Sequence, residues 1–127
     1  MRNVLIFVIA LLGPLVVIRV AIHLLMKRAH DITVAIQGVR FHHLHLGVLL
    51  IFAASLLFLF TGINIFSLGF LGIGLGLVLD EFIPSVLIPH QEPLSTKIYL
   101  SSLRGTIILF IAVVIVVLAF FLAFKYL

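Results

Sequence analysis

A cluster of histidines in the sequence FHHLHLG, residues 41–47, is the strongest candidate for chemistry in this chain. His42 and His45 are three residues apart, so on a helix they lie on one face, whereas His43 points away from it. Neutral imidazole is the commonest protein ligand for metal ions. No glutamate stands between the histidines as in the HExxH motif of metalloproteases, and the repeated histidine boxes of membrane desaturases are absent from the sequence.

A second group is the pair Asp80-Glu81, which ends a glycine-rich apolar segment. Gly72, Gly76 and Asp80 follow one another at intervals of four, which predicts a helical ridge that a neighbouring helix can approach closely. Glu81 is turned about 100° from this ridge. Imidazoles combined with carboxylates suit Zn, Fe or Mn. We therefore predict a divalent metal site, with support from His23 and His90, formed by His42, His43, His45, Asp80 and Glu81.

A structural interpretation of the same residues stays open. Histidines near a membrane surface can contact lipid headgroups through their amphipathic rings. Arg19, which shares a helix face with His23, lies within an apolar segment and needs a partner there. Asp80 is expected at a similar depth, so an Arg19–Asp80 ion pair is the alternative to metal ligation for that carboxylate.

The elements that position these groups are apolar helices. The chain has 127 residues, 65% of them hydrophobic and 9% charged, too few charges to cover a soluble domain. Four segments reach the roughly 20 apolar residues that a membrane span needs. The sequence predicts an all-α, integral membrane four-helix bundle in a single domain, with spans at Asn3 to Met26, Leu44 to Thr61, Ile65 to Leu87 and Ser102 to Phe124. Asn64 is predicted to cap the third helix.

Composition also excludes several kinds of site. The absence of cysteine rules out disulfides, thiolate metal sites and iron–sulfur clusters. The basic residues form no run longer than Lys27-Arg28 and stand beside apolar segments, so we expect the lipid bilayer as a partner and no nucleic acid.

The order of the spans polarises the chain. If the N-terminus lies on side A, both long polar connections lie on side B, and all histidines and carboxylates fall toward side B. Most of the lysines and arginines do so too, which predicts a multi-pass protein of the cell membrane with side B cytoplasmic and both termini extracytoplasmic. In the first connection, residues 29–41, alternating apolar residues suit a strand. A short interfacial helix broken at Gly38 is the preferred prediction, because a lone strand has no visible partner.

The two motifs together resemble a known kind of protein. GVRFHHLHLG, residues 38–47, followed by GIGLGLVLDEF, residues 72–82, resembles a family of small uncharacterised prokaryotic membrane proteins. In that family a histidine-rich entrance to one helix precedes a glycine-rich helix ending in Asp-Glu-Phe. The resemblance covers about the middle third of the chain and implies that the two motifs belong together, but it implies no activity.

Three classes of function remain open from the sequence. The first is a membrane-embedded metal-binding protein, which would act as a metalloenzyme if it processes an amphiphilic substrate at the interface. The second is a b-type haem protein with paired histidines, for which only His23 lies at a suitable depth to face His42 or His45. The third is a non-catalytic subunit of a homo-oligomer or larger membrane complex, packed through a face formed by Gly69, Gly72 and Gly76.

Overall fold

Four long helices make up most of the protein. The computed structural model describes residues 2–26, 35–36, 39–40, 43–87 and 101–126, and at some of these, among them His23 and His43, only the backbone. The helices are α1 (Arg2–Met26), α2 (His43–Thr61), α3 (Ile65–Leu87) and α4 (Leu103–Tyr126). Helices occupy the four predicted segments, with ends that differ from the predicted ones by at most two residues.

Each helix contains a segment long and apolar enough to cross a membrane. These segments are Arg2–Ala21, Leu44–Thr61, Ile65–Pro84 and Leu103–Ala123. A helix satisfies its backbone hydrogen bonds internally, which the hydrocarbon interior requires of any spanning segment. The chain is therefore a multi-pass membrane protein with an all-helical bundle.

A tight turn joins α2 to α3 and makes them antiparallel. Gly62 adopts a positive φ of 71°, and its N–H donates to the carbonyl of Phe58 at 3.1 Å, which closes the end of α2. The Asn64 side-chain oxygen accepts from the N–H groups of Phe66 and Ser67 at 2.9 and 3.0 Å. Ser67 Oγ in turn accepts from the Asn64 N–H at 3.0 Å. The predicted cap at Asn64 is confirmed, in the form of a reciprocal capping box.

Helix α3 is the centre of the bundle, since it packs extensively against α1 and α2 and also contacts α4. Gly74 and Gly47 bring the backbones of α3 and α2 together: a Cβ on Gly47 would lie 2.7 Å from the Gly74 carbonyl oxygen. Gly72 and Gly76 face α1 in the same way, which confirms the predicted ridge. Both are covered by α1 of the same chain, so they offer no face to a partner, whereas Gly69 has open space around it.

The distribution of buried residues is that of a protein in lipid. Among the described residues, four hydrophobic side chains are buried (Leu11, Ala54, Leu77 and Phe110) against five polar or charged ones (Ser67, Asp80, Glu81, Ser102 and Thr106). Large apolar residues such as Leu59 and Phe60 are about 80% exposed. Because lipid tails are as apolar as leucine, the contacts that distinguish the folded bundle are close backbone packing and polar bonds.

The connection between α1 and α2 contains a short strand pair. Ala35–Ile36 pairs antiparallel with Val39–Arg40, with Ala35 opposite Arg40 and Ile36 opposite Val39. The predicted interfacial helix is wrong at these four residues. The connection itself supplies the partner that a strand needs, because the two strands are separated by only two positions in the sequence. The second of these positions is Gly38, and glycine is common between the strands of a hairpin. The rest of the connection lies outside the described residues.

Candidate functional site

An ion pair between α1 and α3 is the centre of a polar network at the end of the bundle opposite the α2–α3 turn. Arg19 Nε lies 2.9 Å from Asp80 Oδ1, and the Asp80 side chain is completely buried. Arg19 Nη2 also donates to Thr106 Oγ1 on α4 at 3.1 Å and makes a long contact of 3.5 Å with the Asp80 carbonyl. The predicted pair is confirmed, and it belongs to a network that connects three of the four helices.

Thr106 is the member of this network that sequence reasoning missed. It is fully buried, and its hydroxyl donates to the carbonyl of Ser102 at 3.0 Å while it accepts from Arg19. A threonine hydroxyl provides one donor and two acceptor lone pairs, so both bonds can form together. The sequence contains a signal for this role: Thr106 is a polar residue within a predicted span, and only apolar residues follow it up to Lys125.

Glu81 points to a different neighbour. Its Oε2 accepts a hydrogen bond from the backbone N–H of Leu44 at 2.6 Å, and the residue is only 3% exposed. Leu44 belongs to the first turn of α2, where N–H groups have no partner within the helix and the helix dipole favours negative charge. No acidic residue of α2 itself stands in that turn, so α3 supplies the cap. The sequence analysis did not predict this contact.

The two adjacent carboxylates therefore have separate roles in the bundle. Asp80 is directed to α1 and α4, and Glu81 to the histidine-rich start of α2, as the predicted turn of about 100° between them requires. The structure thus brings the end of α3 to the entrance of α2, where Leu44 is flanked by His43 and His45.

The predicted metal ligands are only partly described. His45 is exposed, and within the described part of the chain no three His, Asp or Glu side chains are grouped so that they could hold a metal ion. His42 and His90 lie outside the described residues, as do the side chains of His23 and His43. The five-ligand set therefore stays a prediction, while Asp80 has a confirmed role as the partner of Arg19.

Replacing Glu81 with leucine should destabilise the bundle by about 1–3 kcal/mol, because the part-buried Leu44 N–H would lose its acceptor. Glu81→Gln keeps an acceptor oxygen and loses only the interaction of charge with the helix dipole, so a smaller loss is expected. Thermal unfolding in detergent measures both. If Glu81→Leu unfolded at the wild-type temperature, the carboxylate would not stabilise the start of α2.

Comparison of the chain with known protein families, with curated proteins and with solved structures finds no match. The assignment of function therefore depends on the chemistry of the site.

Proposed function

We propose that the chain is a membrane-embedded protein that binds a divalent metal ion at the side-B end of the bundle. The observation that supports this most directly is the 2.6 Å contact between Glu81 Oε2 and the N–H of Leu44. It brings a buried carboxylate of α3 into the turn of α2 that is flanked by histidines in sequence. A carboxylate has several acceptor positions, so capping a helix is compatible with ligating a metal.

The proposed ligands are His42, His45 and Glu81, with His43, His23 or His90 completing or supporting the set. Imidazole and carboxylate together suit Zn, Fe or Mn. Asp80 is left out of the revised set, because its side chain is engaged with Arg19 on the side of α3 that faces α1 and α4.

We further propose that side B is cytoplasmic in the cell membrane and that both termini are extracytoplasmic. Basic residues concentrate beside the side-B ends of the spans, which is the pattern of the positive-inside rule. A metal ion there would lie near the headgroup boundary, where a metal-activated water could attack an amphiphilic substrate. In that case the protein would be a membrane metalloenzyme.

Metal analysis of purified, detergent-solubilised protein tests the proposal. We expect about one Zn, Fe or Mn ion per chain in the wild type and its loss in His42→Ala/His45→Ala, since two of the few ligands of a site would be removed. His30→Ala, which removes a loop histidine outside the proposed set, is the matched control and should retain the metal. Retention in the double variant would exclude these two residues as ligands.

A non-catalytic subunit of a larger membrane complex is the second candidate. Both buried carboxylates have structural roles that favour this candidate: Asp80 pairs with Arg19, and Glu81 caps α2. Wild-type protein that stays free of metal and pigment after supplementation with each metal would support this candidate. A Soret band in the visible spectrum would instead favour the b-type haem alternative.

A further inference from the structure

An apolar groove lies between α1 and α4, away from the metal site proposed above. It has a volume of about 250 Å³ and is lined by Leu12 and Leu15 of α1 and by Ile107, Phe110, Ile111, Val114 and Ile115 of α4. Phe110 forms its buried floor, whereas Ile107 and Ile111 are 40% and 54% exposed and form its rim. The groove therefore opens onto the lipid-facing surface of the bundle.

The size of the groove matches one hydrocarbon chain. From Ile107 to Ile115 it extends about 12 Å along α4, shorter than the roughly 15 Å thickness of one leaflet. A cavity of about 150 Å³ is enough for benzene, so 250 Å³ accepts a longer segment of acyl chain. A helix about 10 Å wide and of the same length fills roughly 900 Å³. A partner helix would therefore seat only a fraction of itself in the groove.

A cation stands at the end of the groove that is nearer side B. Arg104 precedes Ile107 by three residues and Ile111 by seven, so it lies on the same stripe of α4, about one turn above the groove. It is exposed, and within the described part of the chain it takes part in no hydrogen bond or ion pair. Guanidinium binds phosphate oxygens in a bidentate geometry, which suits the headgroup of an anionic lipid.

We propose that this groove holds one acyl chain of an anionic phospholipid from the side-B leaflet, with the lipid phosphate bound by Arg104. The apolar lining binds the acyl chain, and Arg104 favours a lipid with an anionic headgroup. The lipid would also cover the gap between α1 and α4, two helices that the Arg19–Thr106 hydrogen bond already connects just above the groove.

Native mass spectrometry of the full chain, released from micelles that contain phosphatidylglycerol or phosphatidylcholine, tests the proposal. We expect one bound lipid per chain and about fivefold tighter retention of phosphatidylglycerol, the effect of one basic residue on an anionic lipid. Val114→Phe fills the groove and should lower retention of both lipids. Val116→Phe, which adds the same ring at an exposed position outside the groove, should not.

The charge is tested by a second pair of variants. Arg104→Gln should abolish the preference for phosphatidylglycerol, while Arg2→Gln at the opposite end of the bundle should leave it intact. Equal retention of the two lipids by the wild type, or equal effects within either pair of variants, would overturn the proposal. So would a concentration-dependent dimer lost specifically in Val114→Phe, because the groove would then be an interface between two copies. Thermal unfolding of each variant in detergent verifies that it is folded.

Discussion

Substituting leucine for Asp80 is expected to destabilise the folded bundle by about 3–5 kcal/mol, the usual cost of removing one partner from a buried ion pair. Arg19 would stay in the apolar interior with Thr106 as its remaining side-chain partner in the network described above. The cost of an uncompensated arginine is high in a membrane, where water cannot solvate it. Thermal unfolding in detergent should show a large decrease in the unfolding temperature.

A double-mutant cycle separates the pair from its surroundings. Arg19→Leu/Asp80→Leu should recover most of the lost stability, because a buried ion pair replaced by apolar residues is often neutral or stabilising. A positive coupling energy between the two positions is therefore expected. Unchanged stability of Asp80→Leu, or losses that simply add in the double variant, would contradict the role of the pair in holding α1 against α3.

Adding a single methyl group at Gly76 is expected to be the second large perturbation. A Cβ at this position would fall on the carbonyl oxygen of Leu11 and lie 3.1 Å from Cγ of Pro14, so α1 has to move away from α3. Overpacking of this kind typically costs about 1–3 kcal/mol. The cost should be at the upper end, because the obstacle is backbone and the displacement of α1 also carries Arg19 away from Asp80.

Gly69→Ala is the matched control for Gly76→Ala. Gly69 is on the same helix, and nothing lies within 4 Å of where its Cβ would be. Alanine has the higher helix propensity, so this substitution should be neutral or slightly stabilising. Detergent unfolding temperatures of the two variants provide the comparison. If both substitutions had the same effect, the close approach of α1 at Gly76 would not contribute to stability.

The sequence was sufficient for features that depend on burial or on a local motif. Spans follow from the length of apolar segments, and Asn64 caps α3 through residues within three positions of it. The Arg19–Asp80 pair could be predicted although 61 positions separate the two residues. Two charges of opposite sign that are buried at a similar depth in a membrane are expected to pair with each other. The glycine ridge also indicated that Asp80 faces a neighbouring helix.

Features that depend on which helices are neighbours could not be obtained in this way. The Glu81 cap requires the end of α3 to lie beside the start of α2. Residue type alone does not distinguish the two roles, because a carboxylate can serve either as a metal ligand or as a helix cap. Thr106 joins the ion pair only because α4 packs against α1 and α3 at that depth. The strand pair was missed because the two strands lie in the same connection, with paired residues only three and five positions apart.

We propose that two adjacent carboxylates serve different purposes: Asp80 stabilises the bundle, and Glu81 joins His42 and His45 in a metal site. Metal content per chain, measured in parallel for wild type, Arg19→Leu/Asp80→Leu and His42→Ala/His45→Ala, tests it most directly. Our account predicts about one ion per chain in the wild type and in the folded Arg19/Asp80 variant, and none in the histidine variant. Metal-free wild type, loss of metal from the folded Arg19/Asp80 variant, or its retention without His42 and His45 would contradict it.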